Sequence, residues 1–390
     1  MPAPTSDWRG ETSCANYRAP RWLPGGHLQT IYAYYLPRPS SFRFRRERWD
    51  TPDGDFIDLD WLDGAADSAK VGVLFHGLEG CSRSHYALSL VDELRCQGWA
   101  SVVAHSRGCS GEFNQLPRCY HAGDSAEIDW ILRRLKKENP KSRLYGVGIS
   151  MGGNDLLKWL GEQGDRALDV VDRAVAVSAP VDLQSAAQQL DSGWNKLIYT
   201  RDFLRTMKPK VLEKIVTHGL PLDPRSIRAV STFREIDDLY TAPFHGFKDA
   251  DDYWRRSSSK PWLRHIKVPT LLINARNDPF FPHEALPTRE EVSETVRLEY
   301  PDSGGHVGFV SGKFPGHLGW LPRRIHEFLT IGCSTKRRTT DYRRLDYLFI
   351  HPGKAIAPCL KSSSCSNRLT ATLRSIPLFH LPPRRGGRRR

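Results

Sequence analysis

The chain contains the stretch GVGISMGG at residues 146–153, and this stretch predicts its fold more directly than any other. It follows an apolar, strand-like run at residues 144–149 and precedes a segment at residues 154–163 with apolar residues on one helical face. A G-x-S-x-G pattern between a strand and a helix is typical of a sharp turn that exposes the serine hydroxyl. The flanking glycines leave room for neighbouring backbone. Ser150 is therefore the candidate nucleophile.

A serine hydroxyl is a weak nucleophile at neutral pH, so Ser150 requires a base and an orienting acid. Residues 270–274 form a strand-like run that leads to Asp278, and residues 296–300 form another that leads to His306. The order serine, aspartate, histidine, each at the end of a strand, is that of a serine hydrolase triad. We predict Asp278 as the acid and His306 as the base.

Other acids and bases are present near these positions. Asp302 is an alternative acid, but it lies too close to His306 in sequence to come from the preceding strand. His283 and His317 are alternative bases that do not follow a strand in this way. The strand-end order therefore favours Asp278 and His306.

Acyl transfer also requires hydrogen-bond donors for the oxyanion. Residues 71–75 form another strand-like run, and the sequence HGLEG follows at residues 76–80. We predict the backbone N–H groups of Leu78 and Met151 as the two donors. His76 is interpreted as a structural residue.

Further motifs accompany the GVGISMGG stretch and the HGLEG sequence. They are WLPGGHLQT at residues 22–30, SRGCSG at 106–111 and APFHGF at 242–247. Together these motifs resemble the YheT-like branch of the α/β-hydrolase superfamily, also called the AB hydrolase 4 family, over residues 17–329. The resemblance implies an α/β-hydrolase fold and a serine esterase acting on carboxylic esters, with acyl transfer to alcohols and lipid substrates in eukaryotic relatives.

The remaining pattern is consistent with this fold class. Alternating strand and helix signals predict a mostly parallel central sheet with helices on both faces. Residues 42–49 and 56–62 precede this alternation and are expected to form antiparallel edge strands.

Residues 183–263 carry helical patches without a clear strand, which predicts a helical cap over the active site. We expect its aromatic and aliphatic residues to form an apolar wall: Trp194, Leu197, Ile198, Tyr199, Phe203 and Leu204. The catalytic domain with this cap is expected to span residues 1–330.

The net charge of +13 is concentrated in residues 331–390, which hold 14 of the 57 Lys and Arg residues and two of the 44 acidic residues. The rest of the chain is nearly neutral, so no nucleic-acid partner is expected for it. The tail lacks periodicity and is predicted to be disordered. A basic arm that contacts nucleic acid or anionic lipid is the alternative interpretation.

Motifs for nucleotides and metals are missing from the sequence, since it has no P-loop, C-x-x-C pair or H-E-x-x-H. We therefore expect no cofactor. The eight cysteines suggest no disulfide framework, and no signal peptide or membrane span is evident. These observations favour a cytoplasmic enzyme with at most peripheral membrane contact.

The sequence thus predicts a serine hydrolase that forms an acyl-enzyme from short- to medium-chain or lipid-like esters. An acyltransferase that uses the same triad is the first alternative. A hydrolase scaffold reused for binding is the second alternative.

Overall fold

The computed structural model describes residues 17–36, 42–65 and 68–331. The predicted basic tail lies outside the described residues, apart from its first residue, Ile331.

The centre of the fold is an eight-stranded sheet in the order β1-β2-β4-β3-β5-β6-β7-β8. Its strands are β1 Arg45–Asp50, β2 Phe56–Leu62, β3 Lys70–Phe75, β4 Ala100–Ala104, β5 Arg143–Ile149, β6 Arg173–Val177, β7 Thr270–Ile273 and β8 Val296–Glu299. Strand β2 pairs antiparallel with β1 and β4, and every other pairing is parallel. The predicted fold class is confirmed. The expectation of two edge strands is wrong for β2, because β4 covers its second side.

Helices precede, separate and follow these strands. They are α1 Gly26–Tyr35, α2 His85–Cys96, α3 Ser125–Glu138, α4 Met151–Gln163, α5 Leu183–Leu190, α6 Gly193–Asn195, α7 Arg201–His218, α8 Pro224–Ala229, α9 Phe233–Ile236, α10 Ala242–Phe244, α11 Ala250–Ser257 and α12 Trp320–Thr330. Two π-helical turns, Lys196–Thr200 and Asp237–Thr241, interrupt the region between β6 and β7. No helix in the described part of the chain is long and apolar enough to span a membrane.

Two apolar layers enclose the sheet, because successive side chains of a strand point to opposite faces. In β5, Leu144 belongs to the layer covered by α3 and α4, whereas Val147 and Ile149 belong to the layer covered by α2 and α12. Burial on both faces explains why the parallel strands are continuous apolar runs.

Backbone contacts between α4 and the sheet are unusually close. A Cβ atom at Gly152 would lie 2.5 Å from the carbonyl oxygen of Phe75 and 2.6 Å from that of His76. A Cβ atom at Gly148 would lie 2.4 Å from the carbonyl oxygen of Gly152. Only glycine fits at these two positions, so the start of α4 lies directly against the end of β3.

Helices α5–α11 form an apolar cluster of their own between β6 and β7. The cluster includes Leu204, Ile236 and Tyr240, together with Met151 and Phe280 from outside this region. We call residues 183–265 the cap segment.

The predicted apolar wall is only partly present in the cap segment. Tyr199 and Leu204 are buried, and Phe203 packs against the same cluster. Trp194, Leu197 and Ile198 are instead exposed, with 74%, 56% and 38% of their surface accessible, so their assignment to the wall is wrong. They lie on the outer side of a short helix and a π-helical turn, where a helical period read from sequence does not indicate which side faces the protein.

Replacement of Gly152 by alanine is expected to destabilise the fold. The added methyl group would overlap backbone oxygens, which cannot rotate away, and overpacking of this kind costs about 1–3 kcal/mol or more. Thermal and urea unfolding of Gly152→Ala would measure the loss. Gly54→Ala is the control, because no atom lies within 4 Å of the added Cβ there and only its positive φ of 83° opposes the change. Equal stability of Gly152→Ala and the wild-type protein would contradict the close packing.

Candidate active site

Three side chains from separate loops meet at the carboxyl edge of the sheet. Ser150 follows β5, Asp278 follows β7, and His306 follows β8. The Nε2 atom of His306 lies 3.0 Å from the Oγ atom of Ser150. Its Nδ1 atom lies 2.9 Å and 3.1 Å from the two carboxylate oxygens of Asp278. With the Nδ1 proton donated to Asp278, Nε2 is left to accept the proton of the serine hydroxyl.

Ser150 has a strained backbone at the start of α4. Its φ of 53° and ψ of −121° lie in a region that residues other than glycine rarely adopt. Its N–H donates to the carbonyl oxygen of Val177 on the neighbouring strand, over 2.8 Å. The turn therefore has the geometry that the G-x-S-x-G pattern predicts.

Asp278 is held from two sides in a buried position, with 5% of its surface accessible. The backbone N–H of Phe280 donates to its Oδ1 atom over 2.8 Å. The ring of Phe280 stacks on the imidazole of His306 with centroids 3.9 Å apart and planes 17° apart. Phe280 therefore contacts both members of the acid–base pair, a role that the sequence analysis missed.

The loop that carries His306 is held by helix α1. The Thr30 hydroxyl accepts from the N–H of His306 over 2.8 Å, and the Gln29 side chain accepts from the N–H of Gly304 over 2.8 Å. Asn277 accepts from the N–H of Gly305 over 3.0 Å and donates to Gln29 over 3.1 Å. These polar side chains fix the backbone on both sides of the base.

Two residues of the motif WLPGGHLQT therefore hold the loop of His306 in place, a structural role that the motif alone did not indicate. Gln29 and Thr30 are distant from His306 in sequence, and a glutamine or threonine in a helix carries no local signal for such a contact. Only the three-dimensional fold could identify these hydrogen bonds.

The predicted oxyanion donors lie beside Ser150. A Cβ atom on Gly77 would lie 3.0 Å from the Cβ atom of Ser150, so the HGLEG loop lies directly against Ser150. Within the described ranges, the N–H of Leu78 donates no hydrogen bond. The N–H of Met151 belongs to the first turn of α4, where N–H groups have no partner within the helix. Both groups are thus available to an acceptor.

His76 is buried at the base of the same loop. Its Nε2 atom accepts from the N–H of Ser106 over 3.0 Å, and its Nδ1 atom lies 2.8 Å from the carbonyl oxygen of Gly77. Burial lowers the pKa of His76 to about 3, so the imidazole is neutral. These contacts agree with the structural interpretation of His76.

The alternative acid and bases lie elsewhere. The Asp302 side chain is 96% exposed and lies 3.7 Å from Arg276. His283 is exposed beside Glu284, and His317 pairs with Ser311 through the backbone.

A cavity of about 140 Å³ lies next to Ser150 and His306, under the cap segment. Its wall is mostly apolar and is contributed largely by the cap segment, including Leu183, Ala187, Phe203, Met207 and Phe233. Trp194, Leu197 and Ile198 are not part of it. Charged residues Glu79 and Lys210 also line the cavity.

Two buried carboxyl groups, one in the cavity wall and one in α4, have raised pKa values. Burial raises the pKa of Asp237, which lines the wall, to about 7. It also raises the pKa of Asp155 in α4 to about 8. The indole of Trp254 donates to Asp237 over 2.8 Å, and the N–H of Gly123 donates to Asp155 over 2.5 Å. Burial therefore disfavours the negative charge of Asp237 in the cavity wall.

The described residues do not form a metal site. Across the described ranges, no cluster of three or more His, Cys, Asp or Glu side chains is arranged to bind one.

Comparison with known proteins places the chain in a family. Residues 73–313 match the family described as "alpha/beta hydrolase fold". The chain is 38% identical to the "Putative esterase YheT" of Escherichia coli (strain K12) over 336 residues, which cover 85% of this chain and 98% of that protein. It is 25% identical to the human "Phospholipase ABHD3" over 316 residues, or 79% of this chain and 77% of that protein.

Among solved structures, the chain resembles the esterase Pf2001 of Pyrococcus furiosus with a TM-score of 0.48. That match has 18% identity and covers 75% of this chain and 93% of the other. The family match and the 38% identity to YheT over nearly its whole length carry the assignment. The chain belongs to the α/β hydrolase family, in the branch that contains YheT, and is a hydrolase of the esterase and lipase type.

Proposed function

We propose that the protein hydrolyses carboxylic esters through an acyl-enzyme on Ser150. The observation that supports this most directly is the continuous chain of contacts from Ser150 Oγ through His306 to the Asp278 carboxylate. Such a chain provides a nucleophile, a general base and a group that orients the base.

In the proposed mechanism, the Oγ atom of Ser150 attacks the ester carbonyl while His306 accepts the proton of the serine hydroxyl. Asp278 stabilises the imidazolium that forms and keeps Nδ1 as its donor. The N–H groups of Leu78 and Met151 donate to the oxyanion. His306 then returns the proton to the leaving alcohol, and a water molecule, activated by the same histidine, attacks the acyl-enzyme and releases the acid.

The apolar cavity supports an ester with a short- to medium-length acyl chain. Each methylene group buried against an apolar wall adds about 0.8 kcal/mol of binding, or roughly fourfold in affinity. The names of the relatives, an esterase and a phospholipase, are consistent with a lipid-like ester. Acyl transfer to an added alcohol would proceed through the same acyl-enzyme, and product analysis in the presence of alcohols distinguishes it from hydrolysis.

Covalent labelling tests the nucleophile. A fluorophosphonate probe is expected to label the wild-type protein, because the activated serine oxygen attacks its phosphorus. Ser150→Ala should abolish labelling and lower ester turnover by several powers of ten. Ser192→Ala is the control, since Ser192 is an exposed serine of the cap segment whose hydroxyl donates to the Gln189 carbonyl and lies outside the cavity wall. Wild-type turnover by folded Ser150→Ala would exclude Ser150.

The choice of acid is tested by a matched pair of amide substitutions. Asp278→Asn should lower kcat by roughly 10⁴ at neutral pH, because the amide NH₂ group can donate to Nδ1 and then leaves the imidazole in the wrong tautomer. Asp302→Asn should retain nearly full activity, since its side chain is exposed to solvent. Steady-state kinetics on one ester would measure both, and the reverse ranking would reject Asp278.

Chain-length dependence tests the cavity. We expect kcat/KM on p-nitrophenyl esters to rise from acetate to a medium-chain optimum and then to fall. Phe203→Ala should move the optimum to longer chains, and Met207→Trp to shorter ones, with smaller effects on acetate. Trp194→Ala is the control, because Trp194 is exposed and lies outside the cavity. An optimum at acetate that neither Phe203→Ala nor Met207→Trp moves would exclude the acyl pocket.

A further inference from the structure

The HGLEG loop contains a strained charged residue beside the predicted oxyanion donor. Glu79 directly follows Leu78 and has a φ of 54°, in the left-handed region that favours glycine. Its side chain is 10% exposed and lines the same cavity as Ser150. A residue in this conformation persists only where surrounding contacts hold it.

Tyr120 closes a ring of hydrogen bonds with Glu79. The tyrosine hydroxyl accepts from the Glu79 N–H over 3.1 Å and donates to the Glu79 carboxylate over 2.7 Å. It therefore fixes both the backbone and the side chain of one residue.

Lys210 completes the arrangement from the cap segment. Its Nζ atom donates to the same Glu79 carboxylate oxygen over 2.7 Å. Lys210 lies on α7, whereas Glu79 lies on a loop of the main sheet, so this ion pair joins the cap segment to the loop. Because Glu79 and Lys210 are 10% and 24% exposed, solvent screens their interaction less than that of a surface pair.

The loop is anchored on both sides of Leu78. The N–H of Gly77 donates to the Tyr86 hydroxyl over 3.0 Å, and that of Gly80 donates to the Gly77 carbonyl over 2.9 Å. With the Glu79 N–H held by Tyr120, the neighbouring N–H groups are all engaged while that of Leu78 is left for a ligand. A fixed donor of this kind avoids reorganisation as the oxyanion forms.

Charge adds a second effect. A lone Glu79 carboxylate beside the oxyanion would repel the negative charge that develops there. Lys210 neutralises this carboxylate, and Tyr120 donates to it. Lys210 and Tyr120 thus offset the negative charge of Glu79, which would oppose the reaction, and they also fix the loop.

We propose that Lys210 is a positioning residue for the oxyanion loop, through which the cap segment sets the position of the Leu78 donor by way of Glu79. The inference rests on the proposed acyl-enzyme mechanism. Lys210 is not required to contact the substrate. Its effect should therefore be the same for acetate, which leaves most of the cavity empty, as for longer esters.

The test is the kinetics of Lys210→Met on p-nitrophenyl acetate and on a medium-chain ester. Loss of one oxyanion donor costs about 10²–10³ in kcat, so a displaced donor should lower kcat by about tenfold or more, with KM changed less than about twofold. Lys210→Arg should restore much of the activity because it keeps the charge. Lys208→Met on the same helix is the control, since Lys208 donates to the Arg228 carbonyl and not to the loop.

Two further variants keep the test decisive if Lys210→Met does not fold. Tyr120→Phe removes one hydroxyl group and should lower kcat selectively in the same way. Glu79→Gln keeps the shape of the side chain, and its effect should be less than additive with that of Lys210→Met. Fluorophosphonate labelling of wild-type Ser150 separates the two proposals, because its absence would reject the mechanism itself.

Several results would overturn the inference. One is an unchanged kcat in folded Lys210→Met or Tyr120→Phe. Another is a rise in KM alone that grows with chain length, which would make Lys210 a substrate contact. An equal loss of kcat in Lys208→Met would show a general effect of the helix.

Discussion

The structure depends on one steric constraint, the contact between the start of α4 and the end of β3. Gly152 allows the helix backbone to meet the carbonyl oxygens of Phe75 and His76, two residues after the strained Ser150. The same contact places the loop after β3 directly against Ser150. A larger residue at position 152 would separate Ser150 from the loop with the predicted oxyanion donor. The close packing of α4 and the geometry of the site therefore both require glycine at this position.

The predicted acid and base are positioned by a different kind of interaction. Asp278 and His306 lie on loops without regular structure, and hydrogen bonds to backbone N–H groups hold these loops in place. Gln29 and Thr30 supply two of the side-chain acceptors for the histidine loop, although both are buried polar residues of a helix outside the sheet. These buried side chains accept from backbone N–H groups of the loop, so neither partner is left without a hydrogen bond. Helix α1 therefore contributes to the position of His306 together with strand β8.

Sequence alone predicted most of the sheet and the meeting of Ser150, Asp278 and His306. It could do so because each follows a parallel strand, and the carboxyl ends of such strands share one edge. The cap segment was predicted less well. Phe203 and Trp194 are both aromatic residues of helical patches, yet only Phe203 reaches the cavity. Which side of a short helix faces inward is decided by tertiary contacts, which neither local propensity nor periodicity records.

The same limit explains why the contact between Glu79 and Lys210 had no sequence signal. The two residues are far apart in the chain, and a lysine on an amphipathic helix is most often solvated. Their ion pair gives the cap segment a second role besides forming the cavity wall, because α7 carries both Met207, which lines the cavity, and Lys210, which holds the loop. A displacement of α7 would therefore change the pocket and the predicted oxyanion donor together. In the proposed mechanism, substrate selection and catalytic rate are therefore linked through one helix.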